Sequence, residues 1–90
     1  MDRYFAQAYG QVQGVGFRYF VQTTAKKYGL TGWVKNMNDG SVTMEVQGEK
    51  ENIDKLFSTV KKGSIFINVD RLDINTIDPI DGDRHFDIKY

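Results

Sequence analysis

Two short stretches of this 90-residue chain combine residue types suited to gripping an anion and to placing a small nucleophile beside it. In the first, Gln13-Gly14-Val15-Gly16-Phe17-Arg18, two glycines precede an arginine at the point where strand-like alternation gives way to helical spacing. A glycine-containing turn that runs into a helix can present several main-chain N–H groups in one concave nest, backed by the positive end of the helix dipole. Arg18 falls in the first turn of that helix, where a cation is poorly placed for the dipole. A bound anion such as a phosphoryl group would supply the reason, since a guanidinium fork can engage two of its oxygens. Read from these residues alone, a plain structural turn followed by a surface arginine is the competing account.

The second stretch is Asn36-Met37-Asn38-Asp39-Gly40. A carboxamide there can hold a water molecule in line for attack, or it can simply bond its own backbone beside a tight turn. The remaining candidates are weaker. His85 is the only imidazole and stands beside Asp83 and Arg84 in a charged stretch, which suits a solvated surface position. The acidic run from Asp78 to Asp83 lacks the ligand spacing of a calcium loop, and its Pro79 and Gly82 read as an exposed turn. With no cysteine and one histidine, neither a disulfide framework, nor thiol chemistry, nor a zinc site is expected. Any catalysis must then rest on oxygen and nitrogen groups, and no metal or cofactor is expected.

The elements that must position these residues can be read from hydrophobic periodicity. From Tyr4 to Val12 the side chains alternate, which is the period of a strand. Phe17, Val21, Ala25 and Tyr28 then recur at helical spacing up to Gly29. Trp33 and Val34 lead a short strand ending near Asn36-Met37, and Val42, Met44 and Val46 alternate in the next, so Asn38-Asp39-Gly40 reads as a hairpin turn. Ile53, Leu56, Phe57 and Val60 lie at i, i+3, i+4 and i+7, and Lys61-Lys62-Gly63 closes that second helix. Between Ile65 and Ile77 the apolar alternation changes phase, so this segment must contain a bulge or begin as loop. Phe86, Ile88 and Tyr90 form a short last strand. Trp33, Phe17 and Phe57 are expected in the core, and Lys35 on the surface.

This order is βαββαβ with a short terminal strand, an α+β ferredoxin-like two-layer sandwich with two helices on one face of a mainly antiparallel sheet. With 40% hydrophobic residues the chain can fill one compact core, and a single domain spanning residues 1–90 is expected. The right-handed crossover makes the first two strands parallel with the third between them. Gln13 to Arg18 and Asn36 then meet at one edge of the sheet.

The run Gly10-Gln11-Val12-Gln13-Gly14-Val15-Gly16-Phe17-Arg18 resembles the first signature of the acylphosphatase family. The run Gly32-Trp33-Val34-Lys35-Asn36-Met37-Asn38-Asp39-Gly40-Ser41-Val42, continuing to Gly48, resembles the second at its full spacing. The resemblance extends to Tyr90. It implies the same ferredoxin-like fold and the hydrolysis of acyl phosphates to carboxylate and inorganic phosphate without a metal. The arginine matching Arg18, with the backbone of Gln13, Gly14, Val15, Gly16 and Phe17, would bind the phosphoryl group, and the asparagine matching Asn36 would orient the water. The family more commonly carries larger aliphatic residues where this chain has Ala6 and Ala8, which leaves core packing as the open point.

Twelve Lys plus Arg against twelve Asp plus Glu leave no net field to draw in nucleic acid or anionic lipid. No apolar stretch approaches a membrane span and the first residues show no signal region, so a cytoplasmic monomer acting on a small molecule is expected. Two rival readings remain. An RNA-binding module would share the topology, but the basic aromatic strand motif it needs is missing. A non-catalytic domain that keeps the cradle would need a partner domain, and a chain running from Met1 to just past the last strand favours the free-standing enzyme.

Overall fold

The computed structural model describes residues Met1–Tyr90. Five strands and two helices follow the expected order: β1 (Asp2–Gln11), α1 (Phe17–Lys27), β2 (Thr31–Asn36), β3 (Val42–Gly48), α2 (Lys50–Lys62), β4 (Asn68–Ile77) and β5 (Phe86–Lys89). They form one sheet in the order β4-β1-β3-β2-β5. Strand β3 pairs antiparallel with both β1 and β2, so these two run parallel with β3 between them, as the crossover rule requires. The terminal strand β5 joins the outer edge of β2 and runs parallel to it, from Gly32↔Phe86 to Lys35↔Lys89.

Both helices lie on one face because each has one apolar stripe. Phe17, Val21 and Ala25 of α1 are buried, as are Ile53, Leu56, Phe57 and Val60 of α2. They close over Ala6, Ala8, Val34, Val42, Met44 and Val46 from the sheet, all of them fully buried. The two small residues of β1 sit among larger neighbours: the register puts Ala6 between Met44 and Ile74, and Ala8 between Val42 and Leu72. Packing is thereby completed from the flanking strands.

The phase change before Ile77 resolves into both of the expected features. Residues 63–67 form a loop, and β4 carries a bulge where Tyr9 pairs with Arg71 but Gly10 with Val69, leaving Asp70 as the extra residue. That one residue returns Val69 and Leu72, which stand three apart, to the core side, where both pack against the buried cluster.

Trp33 is not a core residue. Parity decides this, since Val34 is fully buried against the helices and its neighbour must face the other way. The indole lies half-buried on the open face with Lys89 Nζ 4.7 Å from its ring centroid. Phe17 and Phe57 are buried as expected, and Lys35 is exposed. The open face also holds a polar cluster the sequence does not announce. Arg3 is only 2% exposed and bonds Glu45 (2.9 Å), Gln47 (3.2 Å) and Asp83 (2.8 Å). Gln47 in turn accepts from the Ile80 N–H and donates to the Ile80 carbonyl, so the acidic connection between β4 and β5 is strapped across the sheet.

Candidate active site

Residues 12–16 link the end of β1 to α1. Gly14 (φ 74°) and Gly16 (φ 78°) both have left-handed backbone, and a Cβ at either would meet nothing within 4 Å. Backbone angle, not space, is what calls for glycine here. Gly16 begins α1 with no side-chain cap and no acidic residue in the first turn. None of the main-chain N–H groups from Gln13 to Tyr19 has a hydrogen-bond partner within the protein. A run of unpaired donors at a helix N-terminus is an arrangement built for an anion.

The side chains of this run divide by role. Val12 and Phe17 are each 1% exposed and belong to the core, and Val15 packs partly against it, so Val15 and Phe17 can offer a ligand only their main chain. Gln13 donates both amide hydrogens to the next hairpin, to Met37 O at 2.7 Å and Ser41 O at 2.8 Å. The side chain therefore staples the loop, and any anion contact from Gln13 falls to its backbone N–H. Arg18 is half-buried, donates through Nη1 to Lys89 O (3.2 Å), and lies under the Tyr90 ring, 4.8 Å from its centroid. Its other donors have no protein partner.

Asn36 ends β2, and its Oδ1 is buried without a hydrogen-bond partner. A buried, unsatisfied acceptor costs on the order of 1–3 kcal/mol, and such a group persists where something outside the chain satisfies it. Arg18, Gly14, Gly16 and Asn36 line one cleft of about 310 Å³, so the fold brings both sequence-predicted stretches to a single site.

The hairpin that carries Asn36 is held by a second network. Gln7 donates to Ser41 Oγ (2.9 Å), and the Ser41 hydroxyl and N–H both donate to Asp39. These two bonds, the hydroxyl first, hold the Asp39 carboxyl below its usual value of 3.8. Asp39 and Gln7 line an adjoining cleft that also touches Asn36 and Lys35.

His85 plays no part at this site. Its side chain is exposed, and it lines a separate cleft near the C-terminal end of α1 with Lys26 and Arg84. Nowhere do three or more His, Cys, Asp or Glu side chains gather in a way that could hold a metal ion. The residues missed from the sequence are Tyr19, Ile88 and Tyr90, which also line the Arg18–Asn36 cleft. Alternation through Phe86, Ile88 and Tyr90 was visible, but the edge at which that strand joins the sheet was not.

Comparison with known proteins agrees with this geometry. The family model described as acylphosphatase matches residues 4–88. An acylphosphatase of Clostridium beijerinckii is 50% identical over 90 residues, covering 100% of both chains. The crystal structure of acylphosphatase from Bacillus subtilis superposes with a TM-score of 0.94 at 40% identity, again over 100% of both chains. Full-length HypF in its phosphate- and nucleotide-bound form contains a similar unit (TM-score 0.90, 30% identity), which covers 99% of this chain and 12% of HypF. With both signature runs converging on one cleft and a family match that spans nearly every residue, this chain belongs to the acylphosphatase family.

Proposed function

We propose that Arg18 and the N–H groups of residues 13–18 bind the phosphoryl group of an acyl phosphate, and that Asn36 orients the water that attacks it. The observation that carries this reading is the Asn36 Oδ1 atom, buried and unpartnered in the same cleft as the bare N-terminus of α1 and Arg18. Hydrolysis of the carboxyl-phosphate bond is the activity of the family.

In phosphoryl transfer a protein contributes mainly position and charge stabilisation. The nest of N–H groups and the Arg18 guanidinium face charge that develops on the equatorial oxygens. A water that donates one hydrogen to Asn36 Oδ1 has a lone pair left to direct at phosphorus. The O–P bond to the acyl carboxylate breaks as the new one forms, and because a carboxylate leaves readily no strong general acid is required. An amide cannot take the water's proton at neutral pH, so it passes to the substrate phosphate or to solvent. The substrate is a small-molecule acyl phosphate. A chain with equal numbers of acidic and basic residues suits a cytoplasmic monomer without nucleic-acid or membrane partners.

The test is steady-state hydrolysis of acetyl phosphate, with inorganic phosphate as inhibitor. Arg18→Ala and Asn36→Ala should each lower turnover by at least roughly 10²-fold, the scale of a lost transition-state donor. Phosphate inhibition should weaken mainly for Arg18→Ala. Full turnover in Asn36→Ala would remove the water-positioning role. Phosphate binding without any turnover by the unmodified protein would favour the non-catalytic reading.

A further inference from the structure

The cradle accounts for the phosphoryl half of a substrate, while the rest of the cleft is of a different chemical kind. Arg18 carries the only charged side chain that lines it, and apart from Asn36 the remaining side-chain surface comes from Val12, Phe17, Tyr19, Ile88 and Tyr90. Val12 and Phe17 are core residues that show the cleft only an edge. Tyr19 and Tyr90, in contrast, are 67% and 91% exposed, and neither hydroxyl bonds to the protein. An exposed aromatic residue is unremarked when it stands alone, but here two of them and the half-buried Ile88 are continuous with the site.

The charges near the cleft are turned away from it. Lys89 lies over Trp33 on the open face of the sheet, and Lys35 lines the neighbouring cleft with Asp39. Once Arg18 and the N–H groups engage the phosphoryl oxygens, no cation remains to pair with a second anionic group on the substrate. No Asp or Glu side chain lines the cleft to meet an ammonium. Desolvating such a charge without a partner is unfavourable.

We propose that Tyr19, Ile88 and Tyr90 form the subsite for the acyl group and select uncharged, apolar acyl groups, aromatic ones above all. This rests on the reading that the phosphoryl group sits at Arg18. The two rings offer flat apolar faces to an aryl or alkyl group, and Tyr90, the residue after β5, reaches the cleft because β5 runs parallel to β2, which carries Asn36.

The experiment compares kcat/KM for benzoyl, acetyl and succinyl phosphate in the unmodified protein, in Tyr19→Ala and in Tyr19→Ala/Tyr90→Ala. Benzoyl phosphate should be preferred over both others, with succinyl phosphate the poorest because its free carboxylate finds no partner. The ratio of benzoyl to acetyl phosphate should fall by roughly tenfold in the double variant, as expected for losing two ring contacts, and the change should appear in KM for benzoyl phosphate. Because Tyr90 stacks on Arg18, the ratio between substrates is the deciding quantity, since a disturbed guanidinium lowers all three rates together. A parallel fall for all substrates, an unchanged ratio, or a preference for succinyl phosphate would overturn the subsite. Failure to hydrolyse any acyl phosphate would instead refute the reaction proposed above. Circular dichroism of each variant establishes that it is folded.

Discussion

Gln13→Met separates the positioning of the site from the site itself. The side chain keeps its length and loses both donors. Two hydrogen bonds disappear, at 2.7 Å to Met37 O and 2.8 Å to Ser41 O. Neither carbonyl is orphaned, because Met37 O still accepts from the Gly40 N–H (3.2 Å) and Ser41 O from the Met37 N–H (2.8 Å). The loss is therefore the net value of the two bonds, about 1–2 kcal/mol, without a further desolvation penalty. For a domain of this size that lowers Tm by roughly 5–15 °C.

The catalytic effect should be larger than the effect on binding. These two bonds are the only side-chain link between the loop that carries the N–H nest and the hairpin that carries Asn36. A misplacement of about 1 Å between reacting groups costs on the order of 10²-fold, and the intact β1–β3 ladder should hold the loss in kcat to between roughly tenfold and that figure. Inhibition by inorganic phosphate should move little, since its donors lie on the loop and α1. Thermal unfolding followed by circular dichroism, with acetyl phosphate kinetics well below Tm, measures both. A variant that is destabilised as expected but keeps full kcat would show that the staple supports the fold without setting the distance between cradle and water.

Two further outcomes follow from the polar networks. Arg3→Met should destabilise the protein by about 2–3 kcal/mol, less than a fully enclosed pair would lose, because Glu45 and Asp83 are 23% and 26% exposed and can regain water. It should also speed proteolysis within residues 78–85 while leaving kcat unchanged, since Arg3 sits about 17 Å along the strands from the level of Asn36 and farther from the N–H nest; slower turnover in the folded variant would count against that independence. The Asp39 carboxyl has its pKa depressed in the folded state, so its contribution is present above the unfolded value and is lost as pH falls through the folded one. The Ser41 amide resonance should accordingly stay fixed from neutral pH to about pH 4 and shift only below that, and Asp39→Ala should abolish the shift; a transition near neutral pH would contradict this assignment.

Local chemistry made the two stretches candidates, but the residues alone also allowed a structural turn, and the resemblance to the two family signatures is what decided for a site. The glycines before Phe17, the misplaced cation at Arg18 and the turn after Asn36 are short-range features that can be picked out without the fold. Periodicity was equally sufficient for α2, where four apolar residues at i, i+3, i+4 and i+7 are all buried. Trp33 was misread because residue type was allowed to outweigh parity, although Val34 beside it could not share its face. The Arg3 cluster was illegible for another reason: its four members come from positions 3, 45, 47 and 83, and no local pattern links them.

The topology explains why so few elements suffice for the cleft. Strands β1 and β2 both oppose β3, and β5 runs with β2, so the C-terminal ends of all three arrive at the same edge of the sheet. One end carries the N–H nest and Arg18, the next carries Asn36, and the last carries Ile88 and Tyr90. The proposed anion, water and acyl contacts thus come from separate strand ends and can vary separately. The β2–β5 register ends at Lys35↔Lys89, so Asn36 and Tyr90 each follow the last pair and line the same cleft, while the Lys89 carbonyl accepts from Arg18. A four-residue edge strand, the shortest element in the chain, is therefore the one that joins Arg18 to Asn36, the residues proposed to bind the phosphoryl group and to place the water. Its sequence shows only that it is a strand; its pairing with β2 is what makes it part of the site.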